Sequence, residues 1–143
     1  LRPVRTDHVD ENLCERGAYE VASADGEAAV TVFASGSEVS VALDARDLLA
    51  AAGHVTRVVS VPSWELFAAQ PADYRAATLG RGTLRVAVEA GTGFGWEKFI
   101  GEGGIFVGMD SFGESAPAKE LFEHFGITPR AVADRVIEQL SNR

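Results

Sequence analysis

The 143-residue chain reads as an α/β domain of three layers, α/β/α, built on a five-stranded mixed sheet. The sheet is expected to be mostly parallel, with one antiparallel edge strand. Three observations predict this. Apolar, β-branched runs at Ala29–Ala34, Val55–Val61, Leu84–Ala90 and Ile105–Met109 have the composition of strands buried on both faces. Helical stretches separate them, and such an order implies right-handed crossovers in a parallel sheet. A fifth run, Ala18–Ala22, alternates as a half-buried strand does.

Taken in order, Leu1 to Arg16 is polar and irregular and reads as a linker or short helical lead-in, leaving 17–143 as the domain. AYEVA (18–22) and AVTVFA (29–34) flank SADGEA, whose Asp25-Gly26 is a turn signal, so an antiparallel hairpin is expected. Ser35-Gly36-Ser37-Glu38 has the S-x-x-E spacing of a capping box, with Ser35 as cap and Glu38 answering. Val39, Leu43, Leu48 and Leu49 follow at near-helical spacing, and Gly53 stands where a C-terminal cap belongs. Pro62-Ser63 stops the next strand. Ser63 then caps a short helix through Trp64, Leu66 and Phe67, and Pro71 restarts a second that ends near Gly80.

After the strands at Leu84–Ala90 and Ile105–Met109, two helices close the chain. Ala118–Phe125 places Leu121, Phe122 and Phe125 on one face and stops at Gly126. Thr128 caps the last helix with Pro129 at its first position, and Val132, Val136, Ile137 and Leu140 form an apolar stripe.

Composition narrows the function classes. A chain of this length buries roughly 70% of its unfolded surface, enough to fold without staples. No apolar run approaches the ~20 residues of a membrane span. Net charge is 13 − 21 = −8, and no Lys/Arg stripe offsets it. Such a surface repels nucleic-acid phosphate and anionic membrane, so neither is an expected partner. Cys14 is the only cysteine, which excludes an internal disulfide and a thiolate metal cluster. An ordinary thiol in a reducing, cytoplasmic setting is expected. No apolar h-region follows Leu1, and the first residue is not Met, so a piece of a longer polypeptide is expected.

The stretch VAVEAGTGFGWEKFIG (86–101) resembles a phosphate loop, with a strand, three glycines and a potential helix. A dinucleotide fingerprint needs G-x-G-x-x-G, however, and Gly91, Gly93 and Gly95 read G-x-G-x-G with Trp96 at the required last position. An indole there holds helix and strand apart, so a tight turn packed under Trp96 is the expected use. Gly113-Glu114-Ser115-Ala116-Pro117 approaches the nucleophile elbow G-x-S-x-G, but Pro117 replaces the last glycine. His8, His54 and His124 have no spacing that assigns a partner, so Ser115 is read as a helix cap. No histidine pair has metal-ligand spacing.

Glu89 ends an apolar strand and could pair with Glu114 for acid–base work. A carboxylate accepting hydrogen bonds at the edge of the sheet is the commoner outcome. In open α/β sheets, ligands sit outside the carboxyl ends of the strands. The candidate ligand or domain-contact crevice therefore comprises Ser35, Ser37, Glu38, Ser63, Glu89, Trp96, Glu114 and Ser115.

Four stretches in register carry a family resemblance. They are Gly36-Ser37-Glu38-Val39, Arg57-Val58-Val59-Ser60-Val61-Pro62-Ser63, Val86-Ala87-Val88-Glu89-Ala90-Gly91 and Val107-Gly108-Met109-Asp110-Ser111-Phe112-Gly113-Glu114-Ser115-Ala116-Pro117. Leu121-Phe122-Glu123 and Phe125-Gly126 extend them. Together they resemble the C-terminal domain of transketolases over essentially the whole chain. The resemblance implies a mixed α/β sheet, mostly parallel with one antiparallel strand. It implies a parent enzyme that moves a two-carbon ketol unit between sugar phosphates in the pentose phosphate pathway, using thiamine diphosphate and magnesium.

In that family the coenzyme, metal and substrate are held by upstream domains and a second subunit of a dimer. No G-D-G-type diphosphate motif occurs here, so no catalytic, cofactor-binding or metal-binding residue carries over. Gly93 and Gly95 also depart from the family pattern. The chain alone is thus expected to be catalytically silent, structural or regulatory, and to bind no coenzyme. The equivalent domain of a deoxyxylulose-phosphate synthase or of a 2-oxoacid dehydrogenase subunit is the competing enzyme reading, opposed by the F-G-E-S-A-P segment. A free-standing α/β module that binds a small anion is the competing non-enzyme reading.

Overall fold

Each apolar run forms a strand in the computed structural model, which describes residues 13–24, 26–80, 82–89, 95–101, 103–108 and 127–142. A 3₁₀ turn at Leu13–Arg16 leads into β1 (Tyr19–Ala22) and β2 (Val30–Ala34). Then come α1 (Glu38–Ala51), β3 (Thr56–Ser60), α2 (Trp64–Ala68), α3 (Ala72–Leu79) and β4 (Leu84–Glu89). The order continues with α4 (Glu97–Ile100), β5 (Ile105–Gly108) and α5 (Pro129–Ser141). The helix expected at 118–125 lies outside the described residues, as do the first twelve residues of the lead-in expected at 1–16, Gly91, Gly93 and His124.

The strands form one five-stranded sheet in the order β1-β3-β2-β4-β5. The pairs β3–β2, β2–β4 and β4–β5 are parallel, and β1 alone is antiparallel, on the β3 edge. The mixed sheet with one antiparallel edge strand is thus as the sequence predicts. The hairpin is not. β1 pairs with β3, Tyr19 opposite Ser60, and β3 lies between β1 and β2. β1 and β2 thus flank β3 instead of forming a tight hairpin with each other. The physical reason lies in burial. The VTVFA strand is buried at every position and needs a strand on each side, whereas the half-buried Tyr19 and Glu20 suit an edge.

Alternation along the strands makes two cores. Val30, Val32, Ala34, Val58, Val86, Val88 and Val107 face α1 and α5, where Val39, Leu43, Leu49, Val132 and Val136 complete an aliphatic cluster. The neighbours Phe33, Val59 and Ala87 face the other way, toward Phe67 and Phe99 on the short helices and Trp96 at the N-cap of α4. In-register parallel pairs such as Val32 with Val58 and Val86, and Phe33 with Val59 and Ala87, keep each cluster continuous across the sheet. The result is three layers.

Helix ends follow the capping rules in most places. Ser63 Oγ accepts from Leu66 N at 3.3 Å, and Thr128 Oγ1 accepts from Ala131 N at 3.1 Å, with Pro129 inside the first turn of α5. Gly80 ends α3 in the left-handed region, and Gly53 follows α1 there (φ +74° and +90°). The capping box at α1 is a correction. Ser37 is the N-cap and makes no side-chain cap bond, while Ser35 stands outside the helix and bonds elsewhere. A turn at Gly36 (φ +57°) inserts between Ser35 and the first helical residue, so the S-x-x-E spacing is present without the cap geometry.

Candidate functional site

Strand order places the expected crevice. The chain leaves β2 through α1 toward β3 on one side, and leaves β4 through α4 toward β5 on the other. The carboxyl ends of β2 and β4 are therefore the topological switch point, where open α/β sheets hold ligands. Ser35 follows β2 and Glu89 ends β4. Ser35 Oγ donates to Glu89 Oε2 at 3.1 Å, joining the two strand ends. Glu89 is a hydrogen-bonded, half-buried carboxylate, the commoner of the two outcomes read from the sequence.

The other predicted residues are scattered around this bond. Glu38 is buried in the first turn of α1, where the helix dipole favours an anion. Ser37 is exposed beside it. The Ser63 hydroxyl caps α2. Trp96 is 2% exposed and belongs to the aromatic core, edge-on to Trp64 at 5.2 Å, so it offers almost no surface to a ligand. Gly95 (φ +88°) backs directly onto the Trp64 ring, where a Cβ would overlap it. The described part of the glycine loop therefore packs rings. Glu114 and Ser115 lie outside the described residues, as do Gly91 and Gly93.

Sequence reasoning missed a second place. A cleft of about 790 Å³ opens at the opposite, amino end of the parallel strands. Its walls include Arg16, Tyr19, Glu20, Glu27, Arg57, Tyr74, Gly80 and Thr83. The floor is a directed chain of hydrogen bonds. Arg57 Nε donates to Glu20 Oε2 at 2.7 Å, and Nη1 donates to the Thr78 carbonyl at 3.0 Å and to Thr31 Oγ1 at 3.4 Å. Thr83 Oγ1 donates to the Gly80 carbonyl at 2.5 Å, so Thr31 is the donor in the 2.7 Å bond between the two threonine hydroxyls. Gly80 is required here, because a Cβ would overlap Thr31, Arg57 and Thr83 side-chain atoms. Above the floor, the Arg16 guanidinium lies 5.0 Å from the Tyr74 ring centroid, and the Tyr74 hydroxyl donates to the Ala18 carbonyl at 2.7 Å.

A signal for this cleft existed. Arg57 is the one charged residue in the valine-rich VTRVVSV run, and an arginine in a largely buried strand demands a partner. Glu20 is that partner, on the adjacent strand.

Thiamine diphosphate and magnesium do not fit the described residues. No three His, Cys, Asp or Glu among them cluster to hold a metal ion. At the switch point the described ionisable groups are the carboxylates Glu38 and Glu89, which repel a diphosphate. No helix among the described residues is long and apolar enough to cross a membrane.

Residues 17–128 match the family described as the Transketolase-like TK C-terminal domain. A transketolase of Cereibacter sphaeroides is 53% identical over 140 residues, covering 98% of this chain and 21% of the relative. One from Aquifex aeolicus (strain VF5) is 43% identical over 136 residues, covering 94% of this chain and 20% of the relative. The chain thus spans about a fifth of the length of these relatives. Among solved structures, the Leishmania mexicana transketolase superposes with a TM-score of 0.82 at 43% identity, over 91% of this chain and 19% of that one. A split gene transketolase, described as an inactive beta4 tetramer, superposes with a TM-score of 0.69 at 26% identity, over 89% of this chain and 43% of that one.

Proposed function

Because the chain belongs to the transketolase-like C-terminal domain family, we propose that it serves a thiamine diphosphate- and magnesium-dependent transketolase as its non-catalytic C-terminal domain. Residues 17–143 form that domain and residues 1–16 lead into it. The whole enzyme moves a two-carbon ketol unit between sugar phosphates in the cytoplasm. The upstream domains and a second subunit are this domain's partners. Coenzyme, metal and sugar phosphates are held by them.

One observation carries this reading. The chain matches about a fifth of a transketolase over 98% of its own length. The neighbour described as inactive contains this fold and supports the silent role. What the domain contributes is a rigid three-layer body that carries surface for other domains. Leu66 is 46% exposed on α2, beside the half-buried Trp64, and such apolar groups suit an interdomain contact.

The test is reconstitution. The purified chain is mixed with thiamine diphosphate, magnesium and a ketose–aldose phosphate pair. We expect neither coenzyme binding nor turnover. Adding the two upstream domains is expected to give activity, above that of those domains alone. Turnover by the chain alone overturns the reading.

A further inference from the structure

We propose that the amino-end cleft is a binding site for a small zwitterion, of the class of free α-amino acids. The inference rests on the geometry of the cleft alone and stands apart from the family reading.

Charge pairing selects the class. Four described charged residues line the cleft, namely Arg16, Arg57, Glu20 and Glu27. Arg57 and Glu20 satisfy each other, with the Arg57 side chain only 11% exposed and fixed on two of its nitrogens. That pair neutralises itself and stiffens the floor. Arg16 and Glu27 are different. Both are exposed, and neither makes an ion pair or hydrogen bond among the described residues. Arg16 is nonetheless held in place over the Tyr74 ring.

The cleft thus offers one uncommitted cation and one uncommitted anion that do not reach each other. A simple anion meets Glu20 and Glu27 as well as Arg16, and a simple cation meets Arg16 and Arg57. A molecule carrying both a carboxylate and an ammonium complements both free charges and leaves the lining neutral. The tyrosine walls and Ala28, Ala76 and Ala77 accept an aliphatic or aromatic side chain.

The experiment uses the 143-residue chain, labelled with ¹⁵N, titrated at low salt with L-alanine, L-glutamine and L-phenylalanine. The N-acetyl and amide forms of each accompany them: N-acetyl-L-alanine and its counterparts keep only the carboxylate, and L-alanine amide and its counterparts keep only the α-ammonium. We expect at least one free amino acid to shift the amides of Arg16, Tyr74, Gly80 and Thr83 saturably, with Kd on the order of millimolar. Each blocked relative of that amino acid is expected to bind about tenfold more weakly, the worth of one hydrogen-bonded charge.

Arg16→Gln is expected to weaken the amino acid about tenfold without touching the ammonium-only probe, and Glu27→Gln to do the converse. Arg16→Lys retains binding. Both positions are exposed, so the fold is expected to hold, and the blocked probes test the wild-type chain without any variant. Absence of saturable shifts with every free amino acid overturns the proposal. So does N-acetyl-L-alanine binding as tightly as L-alanine, which makes the cleft an anion site.

Discussion

At the carboxyl ends of β2 and β4, a serine hydroxyl meets a carboxylate across 3.1 Å. At the amino ends of the same strands, an arginine, two threonines and a glycine carbonyl link into one hydrogen-bonded floor beneath a cleft of about 790 Å³. The first end is where topology puts ligands. The second is where the described side chains leave room. The contrast teaches that strand order fixes where connections diverge, while side-chain volume decides whether a space remains. At the amino end Gly80, Gly82 and the three alanines withhold volume. At the carboxyl end Ser35 and Glu89 are joined by a hydrogen bond.

The comparison breaks most visibly at Gly80. Gly80→Ala is expected to lower stability by about 3 kcal/mol, combining the left-handed backbone penalty with overlap against Thr31, Arg57 and Thr83. Urea denaturation measures it. Gly53→Ala is the control, with φ +90° but open space around the new carbon, and about 1 kcal/mol is expected. Equal losses at the two sites would show that the amino-end floor is not tightly built.

Arg57→Met comes next. It leaves Glu20 without its cation and removes the donor to the Thr78 carbonyl, and a loss of about 2 kcal/mol is expected. Adding Glu20→Gln is expected to recover part of that loss, because the unpaired charge goes too. A double variant as unstable as the sum of its singles would mean the pair is not coupled.

Much of this fold was legible because its strands are short, apolar and bounded by Gly, Pro and Ser. Ser63, Thr128 and Pro129 act as read, since a cap needs only local geometry. The order of neighbours was not legible. Asp25-Gly26 looks like a hairpin turn whether or not a third strand enters between its arms, and that choice belongs to distant residues. The site was half legible. Ser35 and Glu89 were placed at one end by the strand rule, but their mutual bond needed three dimensions. Arg57 was a signal in plain view, an arginine amid valines, whose meaning depended on Glu20 being one strand away.

The carboxyl end should respond more mildly. Ser35→Ala removes one hydroxyl donor to a half-buried carboxylate, for an expected loss of about 1 kcal/mol. Glu89→Gln keeps an acceptor oxygen facing Ser35 and is expected to lose less. A loss at Ser35 as large as that at Gly80 would erase the difference between the two ends.

The smallest effects separate the two meanings of serine at a helix start. Ser63 Oγ accepts the Leu66 amide at 3.3 Å, whereas Ser37, the N-cap of α1, makes no such bond. Ser63→Ala is expected to cost about 0.5–1 kcal/mol, the low range for caps because the bond is long and exposed. Ser37→Ala is expected to cost near zero, since alanine adopts its right-handed conformation readily and no orphan amide is exposed by the change. Measured by urea denaturation beside Ser35→Ala, the series has a definite order: Ser35 at or above Ser63, and Ser63 above Ser37. A Ser37 loss matching that of Ser63 would mean that its hydroxyl caps α1 in solution. The start of α1 would in that case be capped differently from the arrangement described above.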